Sequence, residues 1–582
     1  MKGLDGEKSQ NQVERGVSSG FARKASRATK FLTAGAALCA TAWLGYQHCR
    51  ALESQPHLDY YVDSEEVCPQ ADRLVPQDQF GDISRFNTAE YRDYSLSVYA
   101  GSVRVPTEVY DDMGPVDEDP RWNIFSNFRE YLKGAFPLVY EEAKVERVAE
   151  HGLLFTLEGR DESLKPLLFM AHQDVVPVPE ETIPRWTYPP FSGHFDGKYV
   201  WGRGSNDCKN DLIGILEALN ALLEQGFEPR RTILASFGAD EESGGYRTSR
   251  FLGKEILNRY GEDSILMIVD EGGAVEEIDG NLIANPSTGE KGNIELHVTI
   301  NTKGGHASIP PDHTGIGIAS EFIEMVESQP FEPVLTEKSP FFLTAQCMAK
   351  VDDSMPKQLR QDIFNMGHSC RANHRAIHEL HKNKMYRYLM QTSQAVDIIH
   401  AGVKINALPE EVNVFIDSRI GVESDSSEVK NKMNNHAKQL AEKYNLKVEA
   451  FGETICDYTS EEENGGTLTI DTSSETLEPA PVTQTIGNPT WDLLAGTARH
   501  VLEDFLGNDG EPVTVAPGIM TGNTDTKHYW PLTRSIYRFN PTRRSMAFNE
   551  HSIDEHVDLD THIEGVAFYY DLIRNVDQSD AN

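Results

Sequence analysis

The sequence predicts an α/β protein: a doubly wound, mostly parallel sheet that carries an inserted α+β domain. Three observations predict it. From about residue 120 to 290, short apolar strand patterns alternate with amphipathic helix patterns, the rhythm of parallel strands joined by crossover helices. After Gly292 the strands switch to regular apolar–polar alternation, which suits a sheet with one wet face. From about 490 the helix and strand patterning resumes, which places the second unit inside the first. A chain of 582 residues is also too long for one ordinary domain.

Taken in order, residues 1–30 form a polar tail with Arg15, Arg23, Lys24, Arg27 and Lys30. The apolar run Phe31–Tyr46 would span roughly 24 Å as a helix. Extended through His48, with Trp43 and Tyr46 at an interface, 31–48 reads as a transmembrane signal anchor. The basic leader then holds the N-terminus in the cytosol and sends the body across the membrane. A cleavable signal peptide, and so a secreted protein, is the alternative. Residues 49–119 read as a stalk and N-terminal extension, the stalk being the polar stretch 50–85. In 120–292, Leu167–Met170, Thr232–Phe237 and Ile265–Val269 are strands, while Asp211–Gln225 and Tyr246–Leu257 are helices. Segment 482–582 rejoins this unit and ends in a helix over Asp560–Asn575. Segment 293–456 forms the inserted domain, with strands at Ile294–Ile300, Val396–Ile399 and Val412–Ile416 and a helix over Ser426–Lys443. Within it, 340–390 looks like an insertion of its own, with no role assigned. Asp457–Pro481 is acidic and rich in Gly, Ser and Thr, and reads as a loop.

Lys+Arg 54 against Asp+Glu 91 gives a net charge of −37, a surface that repels phosphate backbones, so nucleic-acid binding is excluded. Cys39, Cys49, Cys68, Cys208, Cys347, Cys370 and Cys456 contain no C-x-x-C pair, hence no zinc ribbon. One or two disulfides fit an oxidising lumen, without a pairing.

Five short polar constellations fall at strand ends or loops, where an open α/β sheet places its site. His172 and Asp174 follow an apolar strand and share a face, so Asp174 is placed to fix the His172 tautomer. Asp207 closes a Gly-rich turn before a helix, as ligand or N-cap. Asp240, Glu241 and Glu242 crowd one strand end, where a cation would offset their repulsion and leave one carboxylate free as a base. Asp270 and Glu271 end another strand; neighbours point opposite ways, so one of the two should reach a common site. His551 lies far along the chain. Oxygen and imidazole donors together suit Zn²⁺ ahead of Mn²⁺ or Co²⁺.

The stretches His172–Pro177, Trp201–Asp207, Asp240–Gly245 and Gly304–Ser308, with His551, resemble the signatures of the aminoacylase/carboxypeptidase zinc peptidases from about residue 120 onward. Within that family the length and short N-terminal anchor are most similar to the carboxypeptidase S-like, Gly-Xaa-cleaving branch of fungal vacuoles. Secreted N-acyl-amino-acid hydrolases are similar too. The resemblance implies two Zn²⁺ per chain in a catalytic domain, with 293–456 as a lid and dimerisation domain. His172 would bind one zinc, Asp207 both, Glu242 and His551 the second, and Asp270 or Glu271 would complete the first. Glu241 would be the general base and Asp174 the residue that orients His172. His306 would stabilise the oxyanion, often across a homodimer, and Asn406 and Arg419 would hold substrate, with His528 bordering it. A short peptide, or alternatively an N-acyl amino acid, would be the substrate.

Overall fold

The computed structural model describes residues 67–459, 466–506 and 511–582. The basic tail, the anchor expected at 31–48 and the first part of the stalk lie outside these residues. Among the described residues no helix is long and apolar enough to cross a membrane.

The larger sheet runs in the order Lys144–Val148, Gly152–Leu157, Ile233–Gly238, Leu167–His172, Met267–Ile278, Ile536–Arg543, Ser287–Glu290 and Gly518–Met520. Its centre is parallel: Leu167 pairs with Ile233 on one side and Met267 on the other, and Ile536 pairs with Ile268. Leu167–His172 and Ile233–Gly238 are buried throughout, the pattern of strands covered on both faces. Helices Lys209–Leu223 and Leu559–Gln578 pack on one face, where Gly214 lets the Tyr569 ring approach. Helix Ser249–Tyr260 covers the other with Leu252 and Ile256.

The inserted domain is a second sheet in the order Ala395–Ala401, Glu411–Ile420, Gly292–Asn301, Thr467–Thr472, Lys447–Ala450 and Glu453–Asp457. Burial alternates along Gly292–Asn301, whose Ile294, Leu296, Val298 and Ile300 face helices Gly315–Ser328 and Ser426–Tyr444. The passage between the domains is anchored at Glu290 and Lys291. Glu290 pairs with Arg538 at 2.7 Å, both fully buried. Lys291 Nζ donates to the carbonyls of Tyr388 at 3.0 Å and Gln391 at 2.8 Å.

Three boundaries differ from the sequence reading. The described part of the polar stalk expected over 50–85 is packed: Val67, Cys68 and Ile83 are buried, and Arg574 holds Asp78 at 2.6 Å. A few apolar anchors and one buried guanidinium fix a segment whose average composition is polar. The loop expected over 457–481 contains Thr467–Thr472, a strand central to the inserted sheet, whose alternation was hidden by acidic neighbours. Finally, helices Pro340–Val351, Lys357–Phe364, Cys370–Leu380 and Lys384–Met390 fall within 293–456 but pack on the larger domain, around Ile283 and Ala516.

Cys68 and Cys347 form a disulfide that bridges a sequence separation of 279, Cys370 is also disulfide-bonded, and Cys208 and Cys456 are free thiols. The Cys68–Cys347 bond ties the N-terminal extension to the inserted helices. The double substitution Cys68→Ser/Cys347→Ser is expected to cost about 2–5 kcal/mol by releasing so long a loop in the unfolded chain, read as a lower denaturation midpoint.

Candidate metal centre

The strand Leu167–His172 ends in a histidine that is 1% exposed. His172 Nδ1 lies 2.9 Å from the backbone carbonyl of Asp174, and Nδ1–H donation there leaves Nε2 as a ligand atom. The Asp174 carboxylate is 3.5 Å from the same nitrogen, too far to be its main partner. It instead accepts the backbone N–H of Glu241 at 3.2 Å and of Glu242 at 3.0 Å. Asp174 thus orients the histidine through its backbone and the acidic turn through its side chain, a division that residue spacing did not reveal.

Asp207 sits at the centre. Its Oδ1 is 2.9 Å from His172 Nε2 and its Oδ2 is 2.7 Å from His551 Nε2. Burial pushes its carboxyl up, but the hydrogen bonds with His172 and His551 outweigh burial and hold it well below the usual carboxylate range. Glu271 Oε2 approaches His172 Nε2 at 3.4 Å, and Glu242 Oε2 approaches His551 Nε2 at 3.3 Å. Two groups of donor atoms result, each within 4.8 Å: His172, Asp207, Cys208 and Glu271 in one, and Asp207, Glu242 and His551 in the other. Asp207 belongs to both. Of the adjacent pair on strand Met267–Ile278, Glu271 joins the cluster and Asp270 does not. Asp270 is buried with Oδ2 lacking a hydrogen-bond partner, and burial raises it to about 6.

The Cys208 thiol was not expected near the ligands. It follows Asp207 and accepts the backbone N–H of His172 at 3.2 Å. Glu555 is a second such residue. Fully buried, it pairs with Arg203 at 2.6 Å and accepts the backbone N–H of Asn206 at 2.8 Å and of Asp207 at 3.4 Å. It therefore locks the Asp207 turn to the loop that carries His551. The acid three residues beyond Ser552 gave no signal of this by itself, because its partners lie in another motif.

Strand Ile233–Gly238 delivers the turn Glu241–Ser243, and Asp240 shapes it. The Asp240 carboxylate accepts the backbone N–H groups of Arg247, Thr248 and Ser249 and the Thr248 hydroxyl. Gly245 has a φ of +71°, and a Cβ there would lie 2.1 Å from Asp525 Oδ1, so only glycine closes this turn. Glu241 is absent from both donor groups. Burial first, and then the nearby Glu271 charge, push its carboxyl well above the usual range. His528 Nε2 lies 3.3 Å from the Gly244 carbonyl, bordering the same turn.

The residues expected to hold substrate lie on the inserted domain. His306 and Asn406 meet at its exposed tip, where Ala307 N–H donates to the Asn406 carbonyl at 3.1 Å and His306 pairs in register with Ala407. Arg419 contacts Asp417 at 3.0 Å and Asn523 at 3.1 Å. None of the three lines the cleft that contains Asp207 and Glu271.

The residues present fit a pair of divalent cations. Glu242 Oε1 is buried without a hydrogen-bond partner, and the hydrogen bonds to Asp207 and Glu242 drive the His551 imidazole up to about 11. Crowded carboxylates that draw an imidazole this strongly favour positive charge at their centre.

The sequence profile of peptidase family M20/M25/M40 matches residues 168–575. Carboxypeptidase S of Saccharomyces cerevisiae is 40% identical over 517 residues, covering 88% of this chain and 89% of that protein. The N-fatty-acyl-amino acid synthase/hydrolase of Mus musculus is 30% identical over 486 residues, covering 82% and 86%. Among solved structures, human carnosine dipeptidase 1 shares the fold with a TM-score of 0.57 at 14% identity, covering 85% of this chain and 98% of that one. A metallo-carboxypeptidase of Sulfolobus solfataricus does so with a TM-score of 0.55 at 15% identity, covering 83% and 99%.

Proposed function

The chain belongs to peptidase family M20/M25/M40, and from that premise we propose that it is a two-zinc carboxypeptidase cleaving the amide bond before the C-terminal residue of short peptides, Gly-Xaa dipeptides among them. The observation that carries this reading is Asp207, whose two oxygens face histidines from two distant parts of the chain. His172, Asp207 and Glu271 would hold one cation, and Asp207, Glu242 and His551 the other. Bound there, such a pair lowers the pKa of a water and polarises the amide carbonyl.

Glu241 does the proton work. It accepts a proton from the attacking water and passes it to the nitrogen of the leaving amine, and burial together with the nearby Glu271 charge raises its affinity for that proton. Asp174 keeps this residue in place through the turn's backbone. Arg419 suits a bidentate grip on the substrate carboxylate, with Asn406 as a further substrate contact and His306 as the oxyanion donor. All three must approach from the inserted domain, of this chain or of a second copy.

A homodimer supports that approach. Strand Ala395–Ala401 forms an edge of the inserted sheet, and Ile398, Ile399, Val403 and Ile405 are exposed on it and on the following loop. An apolar edge of this kind invites strand pairing. Sedimentation is expected to give twice the chain mass, and Ile399→Lys to shift the protein toward monomer.

An N-acyl-amino-acid hydrolase is the second reading, favoured by the similarity to the Mus musculus relative. Metal analysis of the purified protein, with turnover of Gly-Leu and N-acetyl-leucine side by side, decides between the two. Two zinc ions per chain and faster Gly-Leu cleavage are expected; metal-free protein that cleaves either would sink the reading. The disulfides favour an oxidising lumen such as the vacuole or secretory pathway as the site of action.

A further inference from the structure

The cleft that contains Asp207 and Glu271 has a volume of about 780 Å³, and its wall carries amide, hydroxyl and charged side chains beside apolar ones. Five acids line it: Asp207, Asp211, Glu271, Glu276 and Glu550. Among the described residues that line it, Arg544 is the one cation. We propose, on the reading of the centre as an amide hydrolase, that Arg544 is a specificity-determining residue. It pairs with an acidic side chain on the residue before the scissile bond, so that Glu-Xaa and Asp-Xaa dipeptides are preferred to their amide counterparts.

Three observations support it. The first is that no acid claims the Arg544 guanidinium, in a chain with 91 Asp and Glu residues. Other arginines around the centre are held: Arg203 by Glu555 at 2.6 Å, Arg538 by Glu290 at 2.7 Å, and Arg543 by both oxygens of Glu564 at 2.8 and 2.7 Å. Arg544 is exposed and makes no hydrogen bond or ion pair among the described residues. Glu550 is close enough to sense its charge, yet Glu550 Oε2 accepts the Asn206 side-chain amide at 3.0 Å instead. Secondly, Arg544 belongs to the catalytic half. It opens the single turn Arg544–Met546 directly after strand Ile536–Arg543, where Arg543 pairs in register with Val275 on the strand that carries Glu271. Arg419, which suits the terminal carboxylate of the substrate, lies on the inserted domain and lines none of this cleft. The two arginines therefore meet the substrate from opposite ends, and the half before the scissile bond falls to Arg544. Thirdly, the acids of the wall divide by role. Asp207 and Glu271 belong to the donor groups for the cations, and burial raises Asp211 to about 8, which leaves it protonated at neutral pH. Glu276 and Glu550 remain, and they suit the α-ammonium of an unblocked dipeptide. A glutamyl or aspartyl group presents that ammonium together with a carboxylate, the planar anion that a guanidinium grips with two hydrogen bonds. Without Arg544 the same acids would repel such a carboxylate.

The reaction is unchanged by this assignment: water adds to the carbonyl carbon, the C–N bond breaks, and a carboxylate and an amine leave. The test uses the full zinc-loaded chain with Glu-Leu and Gln-Leu, which differ in charge at nearly constant size, and with Lys-Leu, Gly-Leu and N-acetyl-leucine alongside. The wild-type kcat/KM for Glu-Leu is expected to exceed that for Gln-Leu by about ten-fold, the scale of one charge-assisted hydrogen bond. Arg544→Gln is expected to remove that preference, and Arg544→Lys to keep part of it, since an ammonium supplies the charge without the fork. Arg544→Glu should reverse the order of Glu-Leu and Lys-Leu. Zinc content measured on each variant separates these changes from loss of the ions. Equal rates on Glu-Leu and Gln-Leu in the wild type, or a preference that survives Arg544→Gln, would overturn the assignment and leave Arg544 a solvated surface arginine. Absence of turnover on all five substrates would instead overturn the amide-hydrolase reading, and the assignment with it.

Discussion

Glu241→Gln is expected to lower kcat by about 10²–10⁴-fold, the range that one positioned general base contributes, while the purified variant still binds two zinc ions. The amide keeps the size of the side chain and its place on the turn, whose backbone N–H groups are held by Asp174. What it loses is the ability to accept a proton. Because burial and the Glu271 charge raise the Glu241 carboxyl, the ionised form is lost as pH falls through a value above the ordinary carboxylate range. The wild-type kcat/KM profile should therefore fall on its acid side at an unusually high pH, and the residual activity of the variant should lack that limb. Measuring both profiles with zinc content fixed separates proton transfer from metal loss. Full activity in the variant would remove Glu241 from the mechanism.

Asp207→Asn is expected to take bound zinc from two ions to fewer than one per chain, and kcat down by more than about 10³-fold, since several kcal/mol of charge stabilisation leaves with the metals. The single substitution touches both donor groups because Oδ1 faces His172 and Oδ2 faces His551. His551→Ala provides the contrast: it belongs to one group, so native mass spectrometry should find one ion retained. Two ions bound to the Asp207 variant would show that the oxygens do not bridge.

Much of this centre was legible because the chemistry falls at strand ends, and apolar strands such as Leu167–Met170 announce themselves. His172, Asp207, Glu242 and His551 fall in two donor groups that share Asp207. The choice between Asp270 and Glu271 was not legible, because strand alternation allows either residue; in the structure Asp270 pairs in register with Arg538 and Glu271 faces His172. The resemblance alone suggested His306, Asn406 and Arg419, which lie on the inserted domain and line none of the cleft. Segment 340–390 was opaque for another reason. Its helices pack against Ile283 and Ala516, contacts far away in sequence. The Thr467–Thr472 strand hid among acidic neighbours, and Cys68 and Ile83 hid in a polar stretch, because burial of a few residues leaves average composition almost untouched.

The grip of Glu555 on the turn of Asp207 has a bearing on biosynthesis. The residue whose carboxylate receives the Asn206 amide lies 349 positions later in the chain. A nascent polypeptide leaving the ribosome in order can fold its early strands, yet the pocket for the ions stays unfinished until the segment carrying His551 and Glu555 emerges. Metal would then be acquired only after that segment has folded back, from the supply of whichever compartment the body has reached.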